Sequence, residues 1–196
     1  MWIQFESSQR QLRSSLLEQS NRRATQLSDA VSEQFASLLR NTDFTLRELR
    51  QAWLTERDGF EVDFQSLATR FPGQSLLHIS LAGPDGIVVF STLEVDGKRD
   101  LVDSEVVQRR AKQDSGFLEI GSPGYSKLLE EWFIPVSLPI REKNELLGVL
   151  QAGLSPKYLS DMLAKVNISE HDIIVFLDNR GSFLARNIEV EKALGK

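Results

Sequence analysis

From Met1 to Asp58 the chain contains neither glycine nor proline, and Gln, Arg, Leu, Ser, Ala and Glu dominate. A helix tolerates that composition throughout, so one long helix is expected over residues 1–58. Its less polar stripe runs Leu12, Leu16, Ser20, Ala24, Leu27, Val31, Phe35, Leu38, Thr42, Leu46, Leu49, Trp53, with steps of 3, 4 and 4 from Ala24 onward. An eleven-residue repeat of this kind gives a nearly straight seam, where a sustained heptad would supercoil left-handedly. At ~1.5 Å per residue, some 45 helical residues reach roughly 65 to 70 Å, about twice the width of a small domain. One end must therefore project beyond the core on which the other end packs. Two readings stay open: a core helix with a frayed start, and a spine that links a membrane to a distal domain and pairs with a second copy.

The remainder reads as alternating strands and short helices. "DFQSLATRF" is a short helix capped by Asp63 and ended at Pro72-Gly73. "LLHISL" and "IVVFST" flank Gly83-Pro84-Asp85-Gly86, a turn with Pro at its second position and Gly where positive φ is needed, which predicts a hairpin. "DSEVVQRRAKQ" reads as a helix capped by Asp103 that crosses back over the sheet. Three strands follow in "GFLEIG", "EWFIPVSLPI" and "ELLGVLQAGL". Pro135 and Pro139 cannot donate to a ladder, so their strand is expected at an edge or with a bulge. "SPKYLSDMLAKV" carries Ser155 at the N-cap and Pro156 at the first helical position. The hairpin pattern then recurs, with Phe176 to Asn187 echoing Leu81 to Thr92 and Gly181 standing where Gly86 stood. These elements predict an α+β fold: a long N-terminal helix and a five-stranded antiparallel sheet with flanking helices, followed by the start of a second such unit.

Several function classes lose ground on composition alone. Lys and Arg total 23 against 28 Asp and Glu, so the field of the molecule repels rather than gathers nucleic acid. There is no cysteine, which removes disulfides, thiolate metal sites and a Cys nucleophile. No apolar run approaches the roughly 18 to 20 residues of a membrane span. The start at Met-Trp-Ile-Gln-Phe reads as the stub left after a removed segment, as in an excised extramembrane piece. No Gly-x-Ser-x-Gly, His-Glu-x-x-His or phosphate loop is present, and His78 and His171, on or beside strands, read as structural or surface residues.

In the order and spacing of the long helix, "ISLAGPDGIVVFST", "EWFIPVSLPI", "LLGVLQAGLSPKYL" and the restart "IIVFLDNRGSFLAR" followed by "ALGK", the chain resembles the double-Cache sensor domains, PAS-like extracytoplasmic inputs of bacterial chemoreceptors, histidine kinases and membrane diguanylate cyclases. The resemblance covers nearly the whole chain. It implies a signalling and dimerisation helix over 1–58, a membrane-distal Cache module over 59–167, and the incomplete beginning of a membrane-proximal module over 168–196. It further implies a non-enzymatic, periplasmic segment of an inner-membrane protein. Such a segment binds an unknown small molecule without a cofactor or metal, forms a homodimer through the N-terminal helix, and meets the membrane through flanking segments.

The family's pocket would be walled by the elements carrying Arg109, Tyr125, Trp132, Ser137, Gln151 and Ser155. Each has a plainer role as well: Trp132 as core, Ser155 as an N-cap, Arg109 as a solvated helix end. Gln151 is the most informative, because it interrupts the apolar "LLGVLQAGL" and a buried amide needs a partner. The family's amino-acid-binding members carry an Arg after the capping Asp, aromatics one turn on, and an Asp after the last strand. Here Ser104, Val106, Val107 and Ser155 stand at those places, which disfavours amino-acid sensing by the usual constellation. The alternative is a structural or interaction module with a degenerate pocket, marked by an interior closed by Trp132, Phe133, Phe117 and Phe90.

Overall fold

Helix α1 spans Trp2–Thr55, about 80 Å of continuous helix. The computed structural model describes residues 2–57, 59–93, 116–143, 145–166, 172–189, 192 and 194. Burial in α1 falls in its second half, at Val31, Leu38, Thr42, Leu46 and Leu49, whereas Leu16 and Leu17 are exposed. The stripe read from the sequence is thus a core seam from Val31 onward, and Ser20, Ala24, Leu27 and Ser28 before it border a cleft with Val166 and residues 172–175. Each large aliphatic side chain in that seam contributes ~1.5–3 kcal/mol on burial.

Helix α2 (Phe64–Ala68) begins where Asp63 accepts a hydrogen bond from the Ser66 amide. The sheet follows: β1 (Leu76–Ala82), β2 (Val88–Ser91), β3 (Glu119–Ile120), β4 (Gly124–Ser126), β5 (Glu131–Glu142) and β6 (Glu145–Leu154). Helix α3 (Pro156–Lys165) starts with Ser155 Oγ accepting from the Tyr158 amide at 3.1 Å. A separate hairpin, β7 (Val175–Leu177) and β8 (Phe183–Arg186), closes the described chain. The order across the sheet is β2-β1-β6-β5-β3, every pair antiparallel, and β4 also pairs with β5. The sixth strand therefore adds no width: β3 faces Val136 and Ser137, and β4 faces Glu131 to Phe133, end to end along one side of β5.

Of the two expectations for the proline-bearing strand, the edge position is corrected, because β5 is an interior strand, whereas an irregularity is present beside Pro139, at Ile140/Arg141. The Gly121 amide donates to the Pro135 carbonyl at 2.8 Å, so Pro135 turns its backbone toward the β3/β4 side. Its missing N–H falls in the break between those two strands. Pro139, four residues on, has the same orientation and lies past the last β3 pair, Glu119 with Ser137. Neither proline removes a bond from the β6 ladder, which continues without loss; the one irregularity there is at Ile140/Arg141.

The two hairpins match residue for residue at a constant offset. In the first, Gly83 N donates to Ile87 O and Gly86 N to Gly83 O; in the second, Asp178 N donates to Ser182 O and Gly181 N to Asp178 O. Gly86 and Gly181 have φ of 84° and 87°, which only glycine adopts without strain. Each hairpin is tied at its base by one side chain. Thr92 N donates to Ile79 O and Thr92 Oγ1 accepts from Ile79 N; Asn187 N donates to Ile174 O and Asn187 Oδ1 accepts from Ile174 N. The second hairpin joins the main core through Leu184 and Ala185, and Phe176 stacks on Phe35 of α1 at 4.7 Å.

Candidate functional site

Strand alternation gives the sheet two unlike faces. One is apolar: Ile79, Leu81, Ile134, Val136, Leu138, Ile140, Leu150, Ala152 and Leu154 share a single cluster with the buried residues of α1, α2 and α3. The other carries the polar residues. Register places Ser91, Ser80, Gln151, Ser137 and Glu119 in one row across five strand positions. Beside it a second row runs His78, Gly153 and Pro135. His78, Ser80, Gln151 and Ser137 are all buried, His78 and Ser80 completely.

A polar row in the middle of a sheet costs free energy unless its groups are satisfied, so its presence on strands otherwise rich in Leu, Val and Ile is informative. The Thr42 and Ser160 hydroxyls show the usual solution, donating to the Leu38 and Pro156 carbonyls four residues back. Ser80 Oγ and both ring nitrogens of His78 have no hydrogen-bond partner among the described residues. The imidazole lies against Gly153, where a Cβ would come within 2.5 Å of Nδ1, and meets Phe133 edge-on at 5.3 Å. Burial pushes the His78 pKa down to about 4, so the ring is neutral at neutral pH.

The residues singled out from sequence divide between two places. Ser137 and Gln151 are adjacent in the polar row. Tyr125, Trp132 and Ser155 line a different cleft of about 510 Å³, with Glu130, Glu131, Lys157 and Asp161, beside the start of α3. There Tyr125 and Trp132 pack edge to face at 5.7 Å. Trp132 alternates in phase with Ile134 and Val136, so it belongs to the α1 side of β5 and not to the polar side. Ser155 spends its hydroxyl on the helix cap. Arg109, with the capping Asp103 and the helix drawn over Ser104 to Gln113, lies outside the described residues, as does His171.

His78 and Ser80, in the buried polar rows, were not among the residues singled out from sequence. The signal was present in "LLHISL", where two polar residues at i and i+2 fall on one face of a strand, but a lone strand does not say which face its neighbours make polar. Among the described residues, no group of three or more His, Asp or Glu side chains is placed to hold a metal ion. Nor is any described helix long and apolar enough to cross a membrane.

No protein-family profile matches the chain, and no curated protein matches it. Solved structures do. The chain is similar to the extracellular domain of rpHK1S-Z16, assigned as a histidine kinase, at 17% identity and a TM-score of 0.69, covering 84% of this chain and 69% of that one. It is also similar to the ligand-binding domain of the Campylobacter jejuni chemoreceptor Tlp3, in complex with L-valine, at 15% identity and a TM-score of 0.58, covering 90% and 74%. A third is the ligand-binding domain of the Pseudomonas fluorescens chemoreceptor CtaA, in complex with L-serine, at 12% identity and a TM-score of 0.59, covering 86% and 71%. At these identities the likeness is one of fold. The long N-terminal helix, the antiparallel sheet and the flanking helices are the features shared with those structures.

Proposed function

We propose that this chain is the extracytoplasmic, ligand-sensing input of a membrane-bound signalling protein whose cytoplasmic output is a diguanylate cyclase, a chemoreceptor module or a histidine kinase. The observation that carries this reading is the buried polar row Ser80–Gln151–Ser137 on a sheet whose fold is shared with sensor domains. The ligand is a small molecule received on that face, in a distal module over 59–167, with Arg109 on the helix the family places there. The matched hairpins support 168–196 as the start of a second, membrane-proximal module. Ligand binding shifts strand and helix positions, and α1 carries the change toward the membrane as a piston, a rotation or a change in dimer packing. The first half of α1, with Leu16 and Leu17 exposed, pairs with a second copy; sedimentation equilibrium reads this, and a strictly monomeric domain would remove it.

The degenerate-pocket reading is supported by the absence of the amino-acid constellation at Ser104, Val106, Val107 and Ser155. Of the aromatic closure that would accompany it, Phe133 is in place, edge-on to His78, whereas Phe117 is exposed, Phe90 packs on Phe60, and Trp132 alternates to the opposite face from Gln151. A thermal-shift screen of metabolites on the purified domain separates the two. A ligand at one hundred times its Kd raises stability by about 2.7 kcal/mol, whereas a flat response across a broad panel removes the sensing reading.

A further inference from the structure

Within the sensing reading, on which this step rests, one feature narrows the ligand. We infer that His78 and Ser80 are ligand contacts and set this site for an uncharged small molecule that offers a hydrogen-bond donor and an acceptor on one edge, as an amide or lactam heterocycle does. The two side chains stand two residues apart on the same face of β1, roughly 7 Å from each other, with Gly153 and Gln151 directly opposite on β6. Both are wholly buried, and between them three polar atoms, His78 Nδ1 and Nε2 and Ser80 Oγ, have no partner among the described residues.

A histidine kept for packing alone would fix its tautomer through one nitrogen, as buried imidazoles do. Here neither nitrogen is so fixed, although the ring is closely packed across β6 on Gly153, where any Cβ would fall on it. A neutral imidazole supplies one donor and one acceptor, and the serine hydroxyl supplies either. Together they match a ligand edge that alternates the two. Neither of these two side chains sets a fixed charge before a carboxylate or an ammonium, in contrast to the paired charges that read a zwitterion.

The test uses the purified domain with two panels, one uncharged (nicotinamide, uracil, thymine, hypoxanthine) and one charged (L-valine, L-serine, succinate, putrescine), read by thermal shift and then calorimetry. A member of the uncharged panel is expected to bind. His78→Phe and Ser80→Ala are each expected to weaken that binding about ten- to one-hundred-fold. Each should leave the ligand-free melting midpoint equal or raised, since each removes buried polar atoms that lack partners. A purely structural role would instead lower the midpoint and leave affinity alone.

If an uncharged ligand binds wild type and both variants equally, His78 and Ser80 are not contacts, while the sensing reading survives. If only charged molecules bind, the ligand class is wrong and the sensing reading again survives. If neither panel shifts the midpoint, both fall. Should His78→Phe not fold, Ser80→Ala and the imidazole ¹⁵N spectrum of the wild type decide. With two histidines in the chain the spectrum is simple, and a His78 resonance unmoved at saturating ligand overturns the inference.

Discussion

Acidifying the domain from pH 7.5 to pH 4.5 tests the buried imidazole directly, through the proton it refuses. His78 titrates near 6.5 when the chain is unfolded and near 4 when folded, because the interior desolvates the charged ring. The unfolded state therefore binds the proton first. The stability that comes from keeping this ring neutral is fully present above about pH 6.5 and is lost as the pH falls toward 4. Linkage gives a slope of about 1.4 kcal/mol per pH unit through the middle of that window, and about 2.5 kcal/mol in total by pH 4.5.

Other groups lose stability in acid as well. Asp178, held down by the Ser182 and Arg180 amides, and Glu189, held down by Lys192, are carboxylates whose folded pKa values are depressed, so falling pH weakens the fold through them in the same direction. The measurement is therefore a difference: urea unfolding of wild type and of His78→Phe at half-unit pH steps, with the variant subtracting everything but the imidazole. Wild type should lose about 2.5 kcal/mol relative to the variant between pH 7.5 and 4.5. A difference constant within about 0.5 kcal/mol across that range would show that the ring is hydrated or paired in solution, and would refute the burial argument.

Two further substitutions test the local packing. Gly153→Ala pushes a methyl group into the His78 ring and should cost about 1–3 kcal/mol by chemical denaturation; His78→Ala in the same chain should restore part of that loss, a coupling that only direct contact produces. Ser155→Ala removes the hydroxyl that accepts from the Tyr158 amide and should cost about 1 kcal/mol without altering ligand affinity, as expected of a cap that takes no part in the binding row.

Much of the architecture was legible in the chain because it depends on local rules. A stretch without Gly or Pro makes α1, Asp63 and Ser155 cap α2 and α3, and Gly86 and Gly181 place the two hairpin turns. The amphipathic stripe even anticipated the seam at Val31, Leu38, Leu46 and Leu49. Strand position was harder. Pro135 and Pro139 argued for an edge or a bulge; β5 is interior, with an irregularity at Ile140/Arg141, because the damage a proline does depends on which neighbour its absent N–H would have faced. The short β4 escaped notice, since three residues carry no periodicity.

Site composition divides along the same line. Gln151 stood out in sequence as a polar interruption of an apolar strand, and it is buried in the polar row. Trp132 and Tyr125 looked like pocket walls, and they line a cleft beside the start of α3, but the pleat of β5 sets Trp132 on the opposite face from the polar row. What the sequence by itself determined is everything governed by neighbours a few residues apart: helices, caps, turns, and the repeated hairpin. Only the tertiary structure decided which strands lie side by side, and hence that His78, Ser80, Gln151 and Ser137, separated by up to 73 positions in the chain, share one buried face. Register is a property of pairs of strands, and a one-residue change in it would send every one of those side chains to the other side of the sheet.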